Sequence, residues 1–235
     1  MRPCGCLRLR ATRGAGSWVR RWWGGARDTF YVKDISTPSA TVGCMLKPGA
    51  TLALFGVAAH EISGVHTRLN DLWGTTVAQI QMRHLAASTP QQRLAVLEQT
   101  LIARLSERYR LPPAWQHWLE RFDANMPVAA LVRSSGLSHR HFNALFLNVV
   151  GLTPKRYARV QRMQQAIQRI QLAPQTHGIA VALDAGYSDQ AHWSREFRAM
   201  CGMTPTQYLE RAPTQPNHVP VPPSGSSQIF SRQLR

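Results

Sequence analysis

The 235-residue sequence is short of acids, short of cysteine and free of long apolar runs, and each shortage narrows what the chain can be. Nowhere do about 18 apolar residues follow one another, so no membrane-spanning helix is expected. The first residues also lack the apolar centre of a secretory signal, so export is not expected. The four cysteines, Cys4, Cys6, Cys44 and Cys201, form no CxxC pair and have no neighbouring histidine at metal-ligand spacing. Neither a zinc site nor a disulfide framework is indicated, and a reducing cytoplasm fits. Twelve acids stand against 28 lysines and arginines, a formal charge of +16. The excess is uneven, +6 over residues 1–37, +2 over 38–120, +6 over 121–212 and +2 beyond. Such a balance implies a polyanionic partner or an unstructured basic arm, and by itself says nothing about fold.

What is present sorts into four stretches: a basic arm over 1–37, a partial sensor and helical region over 38–118, a helical domain over 119–212 and a tail over 213–235. The arm is rich in Arg, Gly and Trp, densest at Arg20–Gly25, and shows neither a helical nor a strand period, so no fold of its own is expected. A transit peptide and a start assigned too early are the other readings of it. From Thr41 to Gly74 apolar residues are interrupted by Pro48, Gly49, Gly56 and Gly64, which reads as short strands and turns with one short helix near Thr51–Phe55. Leu94, Leu97, Leu101 and Leu105 then recur at helical spacing over Pro90–Tyr109, and Trp115, Trp118, Leu119 and Phe122 share one face of a helix expected over Ala114–Asn125. These aromatics read as core. After Arg211 the Pro- and Ser-rich tail cannot bury enough apolar surface to fold.

The informative feature is an internal repeat. Residues 130–157 and 180–208 are two versions of one pattern. Gly136 and Ser138 match Gly186 and Ser188 at an offset of 50, whereas Phe142, Phe146, Gly151, Thr153, Pro154 and Tyr157 match Trp193, Phe197, Gly202, Thr204, Pro205 and Tyr208 at 51, so the second copy holds one extra residue. Each copy reads as a short apolar helix, a glycine suited to a left-handed C-cap, a serine (Ser138, Ser188) able to cap a new helix, and about three turns of polar helix anchored by apolar residues. Phe142, Leu145 and Phe146 anchor the first such helix; Trp193 and Phe197 anchor the second. A polar face on an anchored helix is what docking in a major groove requires. Thr153-Pro154 and Thr204-Pro205 start further helices, the second with a capping box to Gln207. The helix from Thr153 is expected to run to about Leu172, with Val160, Met163, Ile167 and Ile170 buried and Pro174 as its end.

The stretch Gly186–Pro205, GYSDQAHWSREFRAMCGMTP, resembles the C-terminal signature of the AraC/XylS family of bacterial transcriptional regulators, and GLSHRHFNALFLNVVGLTPKRY is similar to that family's first unit. The resemblance covers about 90 residues and implies a mainly α protein. In it, an all-α tandem helix-turn-helix domain of homeodomain-like units follows a partial α+β N-terminal region. It also implies recognition helices entering successive major grooves about 34 Å apart. Matched to the family's recognition helices, the base-facing candidates are Arg140, Asn143 and Ala144 in the first unit and Gln190, Ala191, His192 and Arg195 in the second. Arg suits guanine edges, Asn and Gln suit adenine, and the alanines offer only methyl contacts. For each polar one the alternative is a solvated surface side chain. Lys155, Arg156, Arg159 and Arg162 crowd the start of the linker helix without an intervening acid, and Arg198 flanks the second reader. They are candidates for phosphate contact, or else a solvated charge run.

Gly43–Gly74 looks like the last part of a sensor found in some family members, with the strands that would precede it replaced by the arm. His60 and His66 lack a third ligand, so no metal is expected. No catalytic constellation stands out and no cofactor is expected. The resemblance implies a cytoplasmic, nucleoid-associated regulator of transcription initiation that binds double-stranded DNA. RNA polymerase, a second copy of the chain and a small-molecule effector are its further candidate partners. Two rivals stay open: a nonspecific basic nucleic-acid binder, and a relative of the DNA-repair alkyl acceptors fused to this module.

Overall fold

The computed structural model of the chain describes residues 22–31, 42–105, 111–172, 181, 183–184, 186–211 and 219, and these are mainly helical. They divide into two compact units, one within Met1–Arg27, Lys33–Phe122 and Val132–Thr153, the other within Asp28–Val32, Asp123–Leu131 and Pro154–Arg235. No helix among the described residues is long and apolar enough to cross a membrane.

The first unit begins with short elements because glycine and proline interrupt it every few residues. Strand β1 (Trp22–Gly24) is followed by helix α1 (Ala50–Phe55), a 3-10 turn at Ala59–Ile62, strand β2 (His66–Arg68) and helix α2 (Leu69–Trp73). The expectation of several strands over Thr41–Gly74 is corrected here. Only β2 is a strand among the described residues of that stretch; Ala50–Phe55, with its Ala and Leu, forms the short helix expected there, and Ala59–Ile62 and Leu69–Trp73 are helical rather than extended. The partner of β2 comes from the arm, where Trp22, Trp23 and Gly24 pair antiparallel with Arg68, Thr67 and His66. Trp23 meets Phe55 at 4.9 Å between ring centroids and Phe55 meets Trp73 at 5.2 Å, so the arm supplies part of this unit's core. The Trp73 indole donates to the Leu54 carbonyl at 3.0 Å.

Helices α3 (Thr76–Ala86) and α4 (Pro90–Arg104) pack against each other. The first of these has no clear signal in sequence, because its inner face, Val77, Ile80, Gln81 and His84, is half polar. The second opens with a capping box in which Thr89 accepts from Gln92 N, and ends at Arg104, so that Leu105, expected in its apolar stripe, is instead its exposed C-cap; residues 106–109 of the expected helix lie outside the described residues. Helix α5 (Pro113–Glu120) stops short of the expected Asn125. The Asp123 carboxylate accepts from the Asn125 N–H at 2.9 Å, a local turn that competes with helix continuation.

Helix α6 (Val128–Ser135) crosses from the second unit into the first, which is completed by α7 (His139–Val150). The second unit is built on α8 (Pro154–Leu172), α9 (Gln190–Cys201) and α10 (Pro205–Glu210), and Val181, Leu183 and Asp184 are also helical. Its core joins Met163, Ala166, Ile167 and Ile170 of α8 to Val181, Tyr187, Trp193, Phe197, Met203 and Tyr208. Pro174 and the tail beyond Arg211, Val219 apart, lie outside the described residues.

Candidate nucleic-acid interface

Each copy of the repeat folds by the same local chemistry. Gly136 and Gly186 adopt φ of 71° and 78°, the left-handed conformation that turns the chain out of one helix and into the next. In the first copy Ser138 then caps α7, its Oγ accepting from His141 N at 3.3 Å. In the second copy the cap is Asp189, not Ser188. The Asp189 carboxylate accepts from His192 N at 2.7 Å, while the Ser188 hydroxyl donates to the other Asp189 oxygen at 3.0 Å. The extra residue of the second copy therefore lies in the turn, between Gly186 and the cap. A carboxylate at a helix N-terminus is also favoured by the helix dipole, and the His192 N–H, followed by the Ser188 hydroxyl, holds the Asp189 carboxyl below its usual range.

Aligning the copies on their caps fixes which positions correspond. His139 answers to Gln190, Arg140 to Ala191, Asn143 to Ser194 and Ala144 to Arg195. Among these aligned positions each helix carries one arginine, Arg140 in the first turn of α7 and Arg195 in the second turn of α9. Arg140, Ala144, Gln190, Ala191 and Arg195 are exposed; Asn143 and His192 are half-buried. The Asn143 amide lies 3.0 Å from His139 Nδ1, and His192 Nδ1 lies 3.2 Å from Ser188 Oγ, so both are pre-oriented from the turn below. Ser194, half-buried and equivalent to Asn143, is a position the sequence reading passes over.

The inner faces are held by aromatics. In the first unit Phe142 and Phe146 are fully buried, and Trp118 packs edge-on against both at 5.2 and 6.1 Å between centroids. Trp115 and Phe122 extend the cluster, and the Trp118 indole donates to Ser134 Oγ at 3.1 Å, tying α5 to α6. On its other side α7 rests on the 3-10 turn and on α1, and Gly49 N donates to Val149 O at 3.0 Å. Helix α7 is thus docked on the N-terminal region itself. In the second unit Trp193 and Phe197 are buried at 5.0 Å from each other, with Tyr187 against Trp193 and Tyr208 against Phe197. Burial pushes the Tyr187 and Tyr208 hydroxyls and the Cys201 thiol up to about 12.

The candidates for phosphate contact fall into two groups. Lys155 on α8 and Arg198 on α9 are exposed. Arg156 donates to both oxygens of Asp28 at 2.7 and 2.5 Å. Arg159 donates to Glu196 Oε1 at 2.8 Å and lies 3.8 Å from Asp28. Arg162 donates to the Ala124 carbonyl at 3.5 Å and stands over the Tyr187 ring at 6.0 Å. The acids missing from the linker's own sequence are therefore supplied from 128 residues upstream and from α9. Glu196 had a legible signal, an acid three residues after Trp193 on the same helix face; Asp28, in a segment without a period, had none. The Arg156 hydrogen bond holds the Asp28 carboxyl below its ordinary value despite burial.

Among the described residues no group of three His, Cys, Asp or Glu could hold a metal ion. His60 and His66 are both exposed, and His66 Nδ1 lies 3.3 Å from the Arg27 guanidinium.

Residues 131–211 match the model of a family described as a helix-turn-helix domain. The chain is 27% identical over 118 residues to an uncharacterized HTH-type transcriptional regulator of Haemophilus influenzae, covering 50% of this chain and 38% of that protein. It is 34% identical over 89 residues to the probable transcriptional regulator LumQ of Photobacterium leiognathi, covering 38% of this chain and 36% of that one. The matched region thus spans little more than a third of the length of these relatives. No solved structure matches the chain.

Proposed function

We infer the function from the family of the C-terminal segment: residues 131–211 belong to the AraC-type helix-turn-helix family. The protein is a DNA-binding regulator of transcription that reads duplex DNA with α7 and α9. The observation that carries this reading is the duplication. Two helices of 12 residues each follow a left-handed glycine and a side-chain cap, bury aromatics on one face and leave the other polar. A lone helix-turn-helix occurs in many contexts; two in tandem suit two grooves on one side of a duplex. Arg140, Asn143, Gln190 and Arg195 read base edges, with Ala144, Ala191 and His192 beside them. Lys155 and Arg198 contact phosphates, joined by Arg156, Arg159 and Arg162 only where their internal partners leave a donor to spare.

In this reading the protein works in the bacterial cytoplasm on the nucleoid and performs no catalytic step. The family resemblance that supports this reading makes RNA polymerase, a second copy of the chain and a small-molecule effector its candidate partners. Selection from a random duplex library, comparing the wild type with an Arg140→Ala, Gln190→Ala, Arg195→Ala variant at fixed salt, tests it. Two short motifs one helical turn apart, relaxed in the variant, are expected. Binding without any enriched motif that simply fades with salt would instead identify a nonspecific basic coat.

A further inference from the structure

The segment Asp28–Tyr31 belongs to the second unit although 90 residues of sequence separate it from the nearest other part of that unit. Two independent contacts seat it beside α9. Asp28, only 9% exposed, receives the bidentate guanidinium of Arg156 and faces Arg159, and Arg159 in turn donates to Glu196 near the middle of α9. The second Glu196 oxygen is buried without a hydrogen-bond partner among the described residues, so Arg159 carries the compensation of that charge. At the other end of α9 the Phe30 ring lies over Gly202, its nearest atom 2.9 Å from where a Cβ would stand.

Building on the proposed reading of DNA, we infer that Asp28–Tyr31 is a specificity-determining strap of the second reader. Asp28, acting through Arg159 and Glu196, sets the rotation of α9 about its axis, and Phe30 on Gly202 fixes its C-terminal end. Both are positioning residues. The direction follows from charge geometry. With one carboxylate shared between two arginines, Arg159 is drawn to the side of α8 from which it reaches Glu196. Without that carboxylate Arg159 is held by Glu196 alone and the helix loses its second point of reference. A hydrogen-bonded charge network anchored on a buried carboxylate has one good geometry, which is what a base-reading helix needs. Removing Asp28 also raises the net charge by one and frees Arg156 and Arg159, both candidates for phosphate contact, from its carboxylate. Sequence-independent attraction therefore rises while discrimination falls, opposite movements that a plain loss of stability does not produce.

The test uses the full-length chain and fluorescence anisotropy on a duplex selected by the wild type and on a scrambled duplex, across a salt series. For Asp28→Asn the expected result is about a tenfold loss on the selected duplex, unchanged or tighter binding to the scrambled one, and a salt slope steeper by about one. Asp28→Glu, which keeps the carboxylate, recovers most of the discrimination. Phe30→Ala lowers discrimination with the salt slope unchanged. Equal losses on both duplexes, equal gains on both, or no change overturn the strap. A wild type that discriminates between no duplexes overturns the proposed function as well, which separates the two failures.

Discussion

The seating of Phe30 on α9 makes Gly202→Ala a quantitative probe of unit two. Gly202 closes α9 at φ 76° with its N–H on Arg198 O, and an added Cβ would fall 2.9, 3.0 and 3.1 Å from three atoms of the Phe30 ring. An alanine in the left-handed region costs roughly 1–2 kcal/mol. Crowding the ring adds about 1–3 kcal/mol, as overpacking does elsewhere. Gly136→Ala supplies the control, because Gly136 has φ 71° but nothing within 4 Å of its Cβ position and so shows the backbone cost alone. Hydrogen exchange of the α9 amides measures the local opening free energy, and urea unfolding followed by circular dichroism measures the global one. The expected ordering is a loss of about 1–2 kcal/mol for Gly136→Ala and about 2–5 kcal/mol for Gly202→Ala. A Phe30→Ala, Gly202→Ala double variant should show a coupling of at least ~1 kcal/mol, well above the additivity error of distant sites. Equal costs at the two glycines, with additive behaviour toward Phe30→Ala, would refute the placement of the strap.

Ser138→Ala removes the oxygen that receives His141 N and should cost about 1 kcal/mol in urea unfolding, with a lowered helix signal. Asp28 bears on acid stability: its folded-state carboxyl titrates below the ordinary 3.8, first because of the Arg156 hydrogen bond, so its contribution is complete above that value and is lost as the pH falls through the lowered one. The Asp28→Asn variant should therefore show a flatter acid limb below about pH 4 than the wild type in pH-dependent unfolding. Arg195→Ala should relax preference at one base position, whereas Arg198→Ala should weaken all duplexes alike and lower the salt slope by about one, both measured by competition binding. Cys201, half-buried and with its thiol pushed to about 12 by burial, should react with iodoacetamide at pH 8 much more slowly than an unperturbed thiol, and labelling of the folded protein at the rate of the unfolded one would contradict its placement.

Local signals in the sequence carried most of the C-terminal half. The linker helix runs over Pro154–Leu172, beyond which the residues are not described, and buries Met163, Ile167 and Ile170 of its expected stripe while Val160 is half-buried; Thr204 with Gln207 forms the expected capping box, because caps and periodicity act within a turn or two of the chain. The cap of the second copy lies one residue beyond the expected Ser188, because Ser188 and Asp189 are both good caps and only the folded turn chooses between them. Nothing local announces that Trp22–Gly24 pairs with His66–Arg68, or that Asp28 crosses 128 residues to Arg156. Such contacts depend on the folded chain, and an aromatic-rich basic arm reads the same whether it is docked or solvated. Helix α3 has no apolar period to read, because Gln81 and His84 share its inner face with Val77 and Ile80.

Methylation interference at guanine N7 on the selected duplex tests the central claim most directly, since N7 lies in the major groove that α7 and α9 are held to enter. The account predicts two clusters of interference about 10 base pairs apart. One should be erased by Arg140→Ala with Asn143→Ala, the other by Gln190→Ala with Arg195→Ala. A single cluster, or a pattern that neither pair of substitutions changes, would contradict it.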